Sequence, residues 1–191
     1  MEYLWKIFLI IGMVSMAGCS QQGFKLERYS SRDSEIDISL DYISGWKINE
    51  QKGSFDSFSQ IVFLESNRGE KTLPSIIVLT VKRESKVEFS PKTIDAAYTD
   101  IVNKRKNFKD SKVLSESRMK LLGTEAVEFE LSYRALDLPE SLKAKLVPMR
   151  ERVVIFKKND RFYILRYENF AADFERLNPA FSQIIKTLKF K

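Results

Sequence analysis

Val153-Val154-Ile155-Phe156-Lys157-Lys158-Asn159-Asp160-Arg161-Phe162-Tyr163-Ile164-Leu165-Arg166-Tyr167 is the stretch that decides how this chain folds. Two runs of β-branched and aromatic residues flank Asn159-Asp160, a pair that tolerates the positive φ of a tight hairpin turn. With those two residues as the loop, Val154 falls opposite Leu165 and Phe156 opposite Tyr163 on one face. On the other face Ile155 meets Ile164 and Val153 meets Arg166. Both faces are largely apolar, so each needs a covering layer. Such a hairpin belongs at the centre of an antiparallel sheet packed on both sides. The expected class is α+β: an antiparallel β-sheet flanked by helices, in an α/β/α sandwich.

The flanking sequence supplies the remaining strands and the covering helices. Val113–Leu121, Ala126–Ala135 and Pro148–Lys158 read as strands, with Gly123-Thr124 as the turn between the first two. Ile36, Ile38 and Leu40 alternate with Asp37, Ser39 and Asp41, which predicts a strand with one buried face. Ser44-Gly45 makes a turn, and Trp46, at the start of the next strand, is expected to pack under the sheet. Gln60–Glu65 and Ser75–Lys82 are further strands. The run Ile76-Ile77-Val78-Leu79-Thr80-Val81 predicts cover on both faces. The first helix is expected to open at Ser90-Pro91 and to carry Ile94, Ala97, Tyr98, Ile101, Val102 and Phe108 along one stripe. The second is expected to open at Asn178-Pro179, with Phe181, Ile184, Ile185 and Leu188 facing inward. Asn67-Arg68-Gly69-Glu70-Lys71 reads as an exposed loop. No repeat or linker interrupts residues 36–190, which are expected to form one domain.

Residues 1–18 read as a signal peptide. Ile7–Val14 is an apolar run about half of the roughly 20 residues needed to span a bilayer. Met16-Ala17-Gly18-Cys19 follows, and it resembles the lipobox of bacterial lipoproteins, in which small residues precede an obligatory cysteine. The resemblance implies cleavage between Gly18 and Cys19 and a lipid on the Cys19 thiol. Two or three acyl chains, at about 0.8 kcal/mol per buried methylene, make a lasting anchor. Residues 19–35 then form the lipidated start and a polar tether, with room for an edge strand. Ser20 after the cysteine implies the outer membrane, facing the periplasm, in a two-membrane cell. In a one-membrane cell the address is the outer face of the plasma membrane.

Composition narrows the chemistry. Hydrophobic residues make up 43% of the 191 and charged residues 30%, which excludes both a disordered chain and a multi-span membrane protein. There is no histidine and one cysteine, so Ser-His-Asp and Cys-His catalysis, a Cys/His zinc site and an internal disulfide are all excluded. The net charge of +6 would suggest nucleic acid in a cytoplasmic protein. In an exported one it points to anionic lipid headgroups, a glycan or an acidic envelope protein, or to solubility alone.

Two constellations remain. Glu151 and Glu168 fall opposite each other in the hairpin register, and Glu128 and Glu130 share a face of the neighbouring strand. Paired carboxylates can act as acid and base or hold calcium, but Arg150, Arg152 and Arg166 lie beside them, which favours an ion network. There is no Asp-x-Asp-x-Asp-Gly loop and no glycine-rich phosphate loop, so no metal site and no cofactor is expected. Arg150, Arg152, Lys157, Lys158 and Arg161, with Tyr163 and Tyr167 interleaved, form a basic cluster. It reads either as a surface for an anionic ligand or partner or as a solvated sheet edge.

The chain resembles the PsbP-like superfamily, which includes DcrB-like envelope lipoproteins. The resemblance rests on Ser39-Leu40-Asp41-Tyr42-Ile43-Ser44-Gly45-Trp46, similar to the family's strand-Tyr-Pro-x-Gly-Trp turn with Ile43 in place of proline. It rests also on Arg161–Tyr167, the closing helix and Thr187-Leu188-Lys189-Phe190. It implies an α/β/α sandwich without a shared catalytic set. The function so implied is a non-catalytic accessory or binding module at a membrane surface, the alternative being a carboxylate-dependent envelope hydrolase.

Overall fold

The computed structural model describes residues 24–32, 36–52, 58–65, 75–83, 91–137 and 142–191. Among the described residues ten strands and two helices follow one another. They are β1 (Leu26–Ser30), β2 (Ile38–Ile43), β3 (Lys47–Lys52), β4 (Phe58–Leu64), β5 (Ile76–Arg83), α1 (Ile94–Lys106), β6 (Lys109–Leu121), β7 (Thr124–Leu136), β8 (Leu146–Lys158), β9 (Arg161–Phe170), α2 (Phe174–Thr187) and β10 (Lys189–Phe190). Seven strands build one sheet in the order β3-β4-β5-β9-β8-β7-β6. Its pairings are antiparallel. A second sheet, β1-β2-β10, ties the start of the described chain to its end.

The central hairpin has the register its sequence predicts: Val154 pairs with Leu165, Ile155 with Ile164 and Phe156 with Tyr163. Asn159 alone of the two loop residues takes a positive φ, at 54°. The β6–β7 turn is displaced by one residue from expectation. Leu122 and Gly123, both at positive φ, make it, so Thr124 already pairs with Leu121.

Strand alternation divides the interior into two cores on opposite faces of the large sheet. One face carries Leu79, Val154, Phe156, Leu165 and Tyr167, which pack with the small sheet and with Phe174, Leu177, Phe181 and Ile184 of α2. Tyr29 of β1 belongs to this core, so the packed unit extends upstream of residue 36. The opposite face carries Val127, Phe129, Leu131, Val153, Ile155 and Ile164, covered by Ala97 of α1 with Ile94, Tyr98 and Ile101 around it.

Several expectations change at the element ends. Thr93, not Ser90, caps α1, its hydroxyl accepting the Ala96 N–H at 3.1 Å; Ser90 lies outside the described residues. Phe108 falls beyond the helix and packs on the Tyr133 ring, centroids 5.1 Å apart. α2 opens at Phe174, a turn before Asn178, because buried Phe174 and Leu177 extend its apolar stripe upstream. Pro179 therefore lies within the helix, on its exposed side, where water can satisfy the carbonyl it leaves free. Trp46 is only half-buried at the rim of the first core. β5 is fully covered on one face only: Ile77, Leu79 and Val81 are buried there, while on the other face Thr80 is buried but Ile76 and Val78 are half-exposed because α1 lies over β6–β8. The loop residues Asn67–Lys71 lie outside the described residues.

Phe181 is fully enclosed between α2 and the sheet. Phe181→Ala should cost about 3–5 kcal/mol in urea unfolding, in line with other large buried aromatics. Trp46→Ala should cost clearly less; an equal loss would contradict its rim position.

Candidate functional site

Glu151 stands at the middle of β8 with no exposure to solvent. A carboxylate removed from water requires charged partners, and this one has two. Arg105, on the last turn of α1, donates from Nε to its Oε2 at 2.6 Å, and Arg166 of β9 donates to Oε1. The facing Glu168 accepts from the Tyr133 hydroxyl at 2.6 Å and lies 3.4 Å from the Arg105 Nη2. The Arg105 guanidinium also covers the Tyr133 ring at 4.9 Å from its centroid. The expected Glu151–Glu168 pairing is thus present. Glu151 is enclosed by two guanidiniums, whereas Glu168, 31% exposed, takes the Tyr133 phenol and a longer Arg105 contact.

Electrostatics fix the protonation of the partners. Burial works against the charge on Arg105, but Glu151 more than offsets it, and the guanidinium pKa is raised. Burial, followed by the charges of Glu151 and Glu168, raises the Tyr133 phenol, which stays a hydrogen-bond donor. Two guanidiniums against two carboxylates leave the cluster neutral.

The basic cluster read from sequence is dispersed. Arg150 and Arg152 lie on the α2 face, where each pairs with a β7 carboxylate and reaches the helix. Arg150 contacts Glu130 at 2.6 Å and Glu175 at 2.6 Å. Arg152 donates to Glu128 at 2.6 Å and to Asn178 and Ser182 at 2.7 Å. Lys157 lies on the opposite face, over the Phe162 ring, while Lys158 covers Phe190 and Arg161 sits half-exposed beside the turn. Tyr163 stacks on Phe156 inside the first core, and Tyr167 is fully buried with its hydroxyl donating to the Phe174 carbonyl at 2.9 Å. The two tyrosines are therefore core residues rather than parts of a binding surface. Period-two alternation is the reason: residues 150, 152 and 158 face one way and 157 the other. Gly18 and Cys19 lie outside the described residues.

A cleft that the sequence did not suggest opens where α1 stops short of β4 and β5. It has a volume of about 290 Å³. Phe58, Ile101 and Ile164 form its apolar walls, and Gln60, Thr80 and Lys82 project from β4 and β5. Gln60 Nε2 donates to Thr80 Oγ1 at 3.0 Å. Arg105 and Arg166 border it, whereas neither Glu151 nor Glu168 lines it. Residues from position 58 to position 166 meet here, and no local spacing announces them. Among the described residues there is no group of three potential metal ligands, and no helix is long and apolar enough to cross a membrane.

A seven-stranded antiparallel sheet between α1 on one side and α2 with a small sheet on the other defines an α+β sandwich. The chain belongs to the PsbP-like protein family, whose model matches residues 18–190. Solved structures share the fold at low identity. Cyanobacterial PsbP from Synechocystis superposes with a TM-score of 0.57 at 12% identity, covering 92% of this chain and 99% of that one. LpqN from Mycobacterium tuberculosis gives 0.55 at 14%, covering 88% and 91%. Mog1p from Saccharomyces cerevisiae gives 0.54 at 10%, covering 88% and 96%. No curated protein matches the chain in sequence.

Arg105→Met would leave Glu151 buried with one guanidinium instead of two. It should destabilise the protein by about 3–5 kcal/mol in urea. In that background Glu151→Leu should cost less than it does in the parent, because the stranded charge goes with it. Additive losses would show that the pair is not coupled.

Proposed function

We propose that this protein is a lipid-anchored, non-catalytic accessory or binding module of the cell envelope. The observation that carries the reading is the engagement of Glu151 and Glu168 by Arg105, Arg166 and Tyr133, which favours an ion network over a working acid–base pair. The cleft beside them is lined by four cations, by Gln60 and Thr80, and by one acid, Asp100, which pairs with Lys104. Membership of the PsbP-like family supports the same reading. Two proteins of the same fold have names consistent with such a role: LpqN is involved in cell envelope biogenesis, and Mog1p is a Ran-binding protein. The alternative, a carboxylate-dependent hydrolase, has the Glu151–Glu168 juxtaposition in its favour and the engagement of both acids by Arg105, Arg166 and Tyr133 against it.

The anchor is Cys19, freed at the Gly18–Cys19 bond. It places the domain at the outer membrane facing the periplasm in a two-membrane cell, or on the outer face of the plasma membrane in a one-membrane cell. The partner is an envelope protein, a glycan or an anionic headgroup rather than nucleic acid. With the basic cluster dispersed, Lys158 and Arg161, both half-exposed, are its members nearest the β8–β9 turn.

Cys19→Ser removes the acylated thiol, and no other apolar run of the sequence matches Ile7–Val14 in length. The variant should lose label from a fatty-acid probe and either keep residues 1–18 or appear in the soluble fraction. Normal labelling of Cys19→Ser would sink the anchor, and with it the envelope reading.

A further inference from the structure

We infer that the cleft between α1 and the β4–β5–β9 half of the sheet binds a small organic monocarboxylate with an apolar body. Its volume of about 290 Å³ lies near the lower end for small-molecule sites. Charge determines the class of ligand. The cations at the cleft are Lys82, Lys104, Arg105 and Arg166, and its acid is Asp100. Arg105 and Arg166 are engaged with the two glutamates behind the cleft. Lys104 pairs with Asp100 at 2.8 Å. Lys82 is left over: among the described residues no hydrogen bond or ion pair holds its ammonium.

Among the described residues one cation is unmatched, and it calls for one negative charge. A dianion would overcompensate it, a cation would be repelled, and a neutral ligand would leave Lys82 unpaired. The carboxylate would sit at Lys82, within reach of the Gln60 and Thr80 side chains that line the same wall. The body of the ligand would lie against Phe58, Ile101 and Ile164. Independent support comes from the Lys82 ammonium itself. Burial lowers its pKa first, and Lys104 and Arg166 lower it further against the opposing pull of Asp100. An arriving anion relieves that unfavourable charge. This site goes beyond the envelope reading and stands without it, since neither anchor nor partner enters the argument.

The test uses the purified full chain in detergent and fluorine NMR of para-fluoro-hydrocinnamate, compared with its neutral amide. The acid should bind saturably, and the amide about tenfold or more weaker, the loss of one charge-assisted contact. Lys82→Met should weaken the acid to the level of the amide, and Lys82→Arg should restore it. The ammonium is disfavoured in the folded state, so its pKa lies below that in the unfolded chain. Removing it at neutral pH should therefore not lower the melting temperature. Ile101→Trp, which fills the cleft from the helix side, should abolish binding independently. Equal binding of acid and amide would overturn the inference. So would unchanged binding by Lys82→Met, or displacement of the acid by equimolar inorganic phosphate.

Discussion

A single carboxylate with no access to water, that of Glu151, constrains the layout of the large sheet. Burying a bare carboxylate would cost several kcal/mol even after relaxation. It is tolerated because Arg166 reaches it from the next strand and Arg105 from α1. The Arg105 contact fixes where the last turn of α1 must lie, over β8 and the facing Tyr133. The helix consequently covers the β6–β8 half of the sheet and leaves β4 and β5 uncovered on that side. One helix, about 10 Å across, cannot cover seven strands spaced at about 4.8 Å. The cleft is the geometric remainder of that mismatch, and the guanidiniums that hold the helix also form its rim.

The opposite face is closed differently. There Arg150 and Arg152 run from β7 carboxylates to the polar side of α2, while their guanidiniums cover the Phe174 and Phe181 rings. Part of the positive charge is therefore spent inside the fold, since Arg150 and Arg152 hold α2 to the sheet. Exposed ion pairs contribute little, but these are half-buried and share aromatic contacts, so they fix helix placement as well as charge.

What could be read from the sequence was what depends on short-range periodicity. The β8–β9 register followed from Asn159-Asp160 and two apolar runs, and the family followed from that hairpin with the Tyr42–Trp46 turn. Helix starts were legible only approximately. Ser90-Pro91 and Asn178-Pro179 carry the right chemistry, but Thr93 makes the cap of α1, and the burial of Phe174 overrides Pro179 in α2. The basic cluster is not a single surface because neighbours in sequence are not neighbours on a face: alternation separates Lys157 from Arg150 and Arg152. The Arg105–Glu151 contact spans 46 residues and joins a helix to a strand. No spacing rule encodes it; Arg105 reads from sequence as a charge suited to a helix C-terminus.

The frame of the molecule is strongest at the two-sided hairpin and weakest at the sheet margins. Native-state amide hydrogen exchange measures that distribution directly. Amides of Val153–Phe156 and Tyr163–Leu165 should exchange only through global unfolding, while those of the exposed edge strand β6 and of α1 should exchange through smaller openings. Exchange at the centre of β8 and β9 as fast as in β6 would contradict the central claim that this hairpin, covered on both faces, holds the fold together.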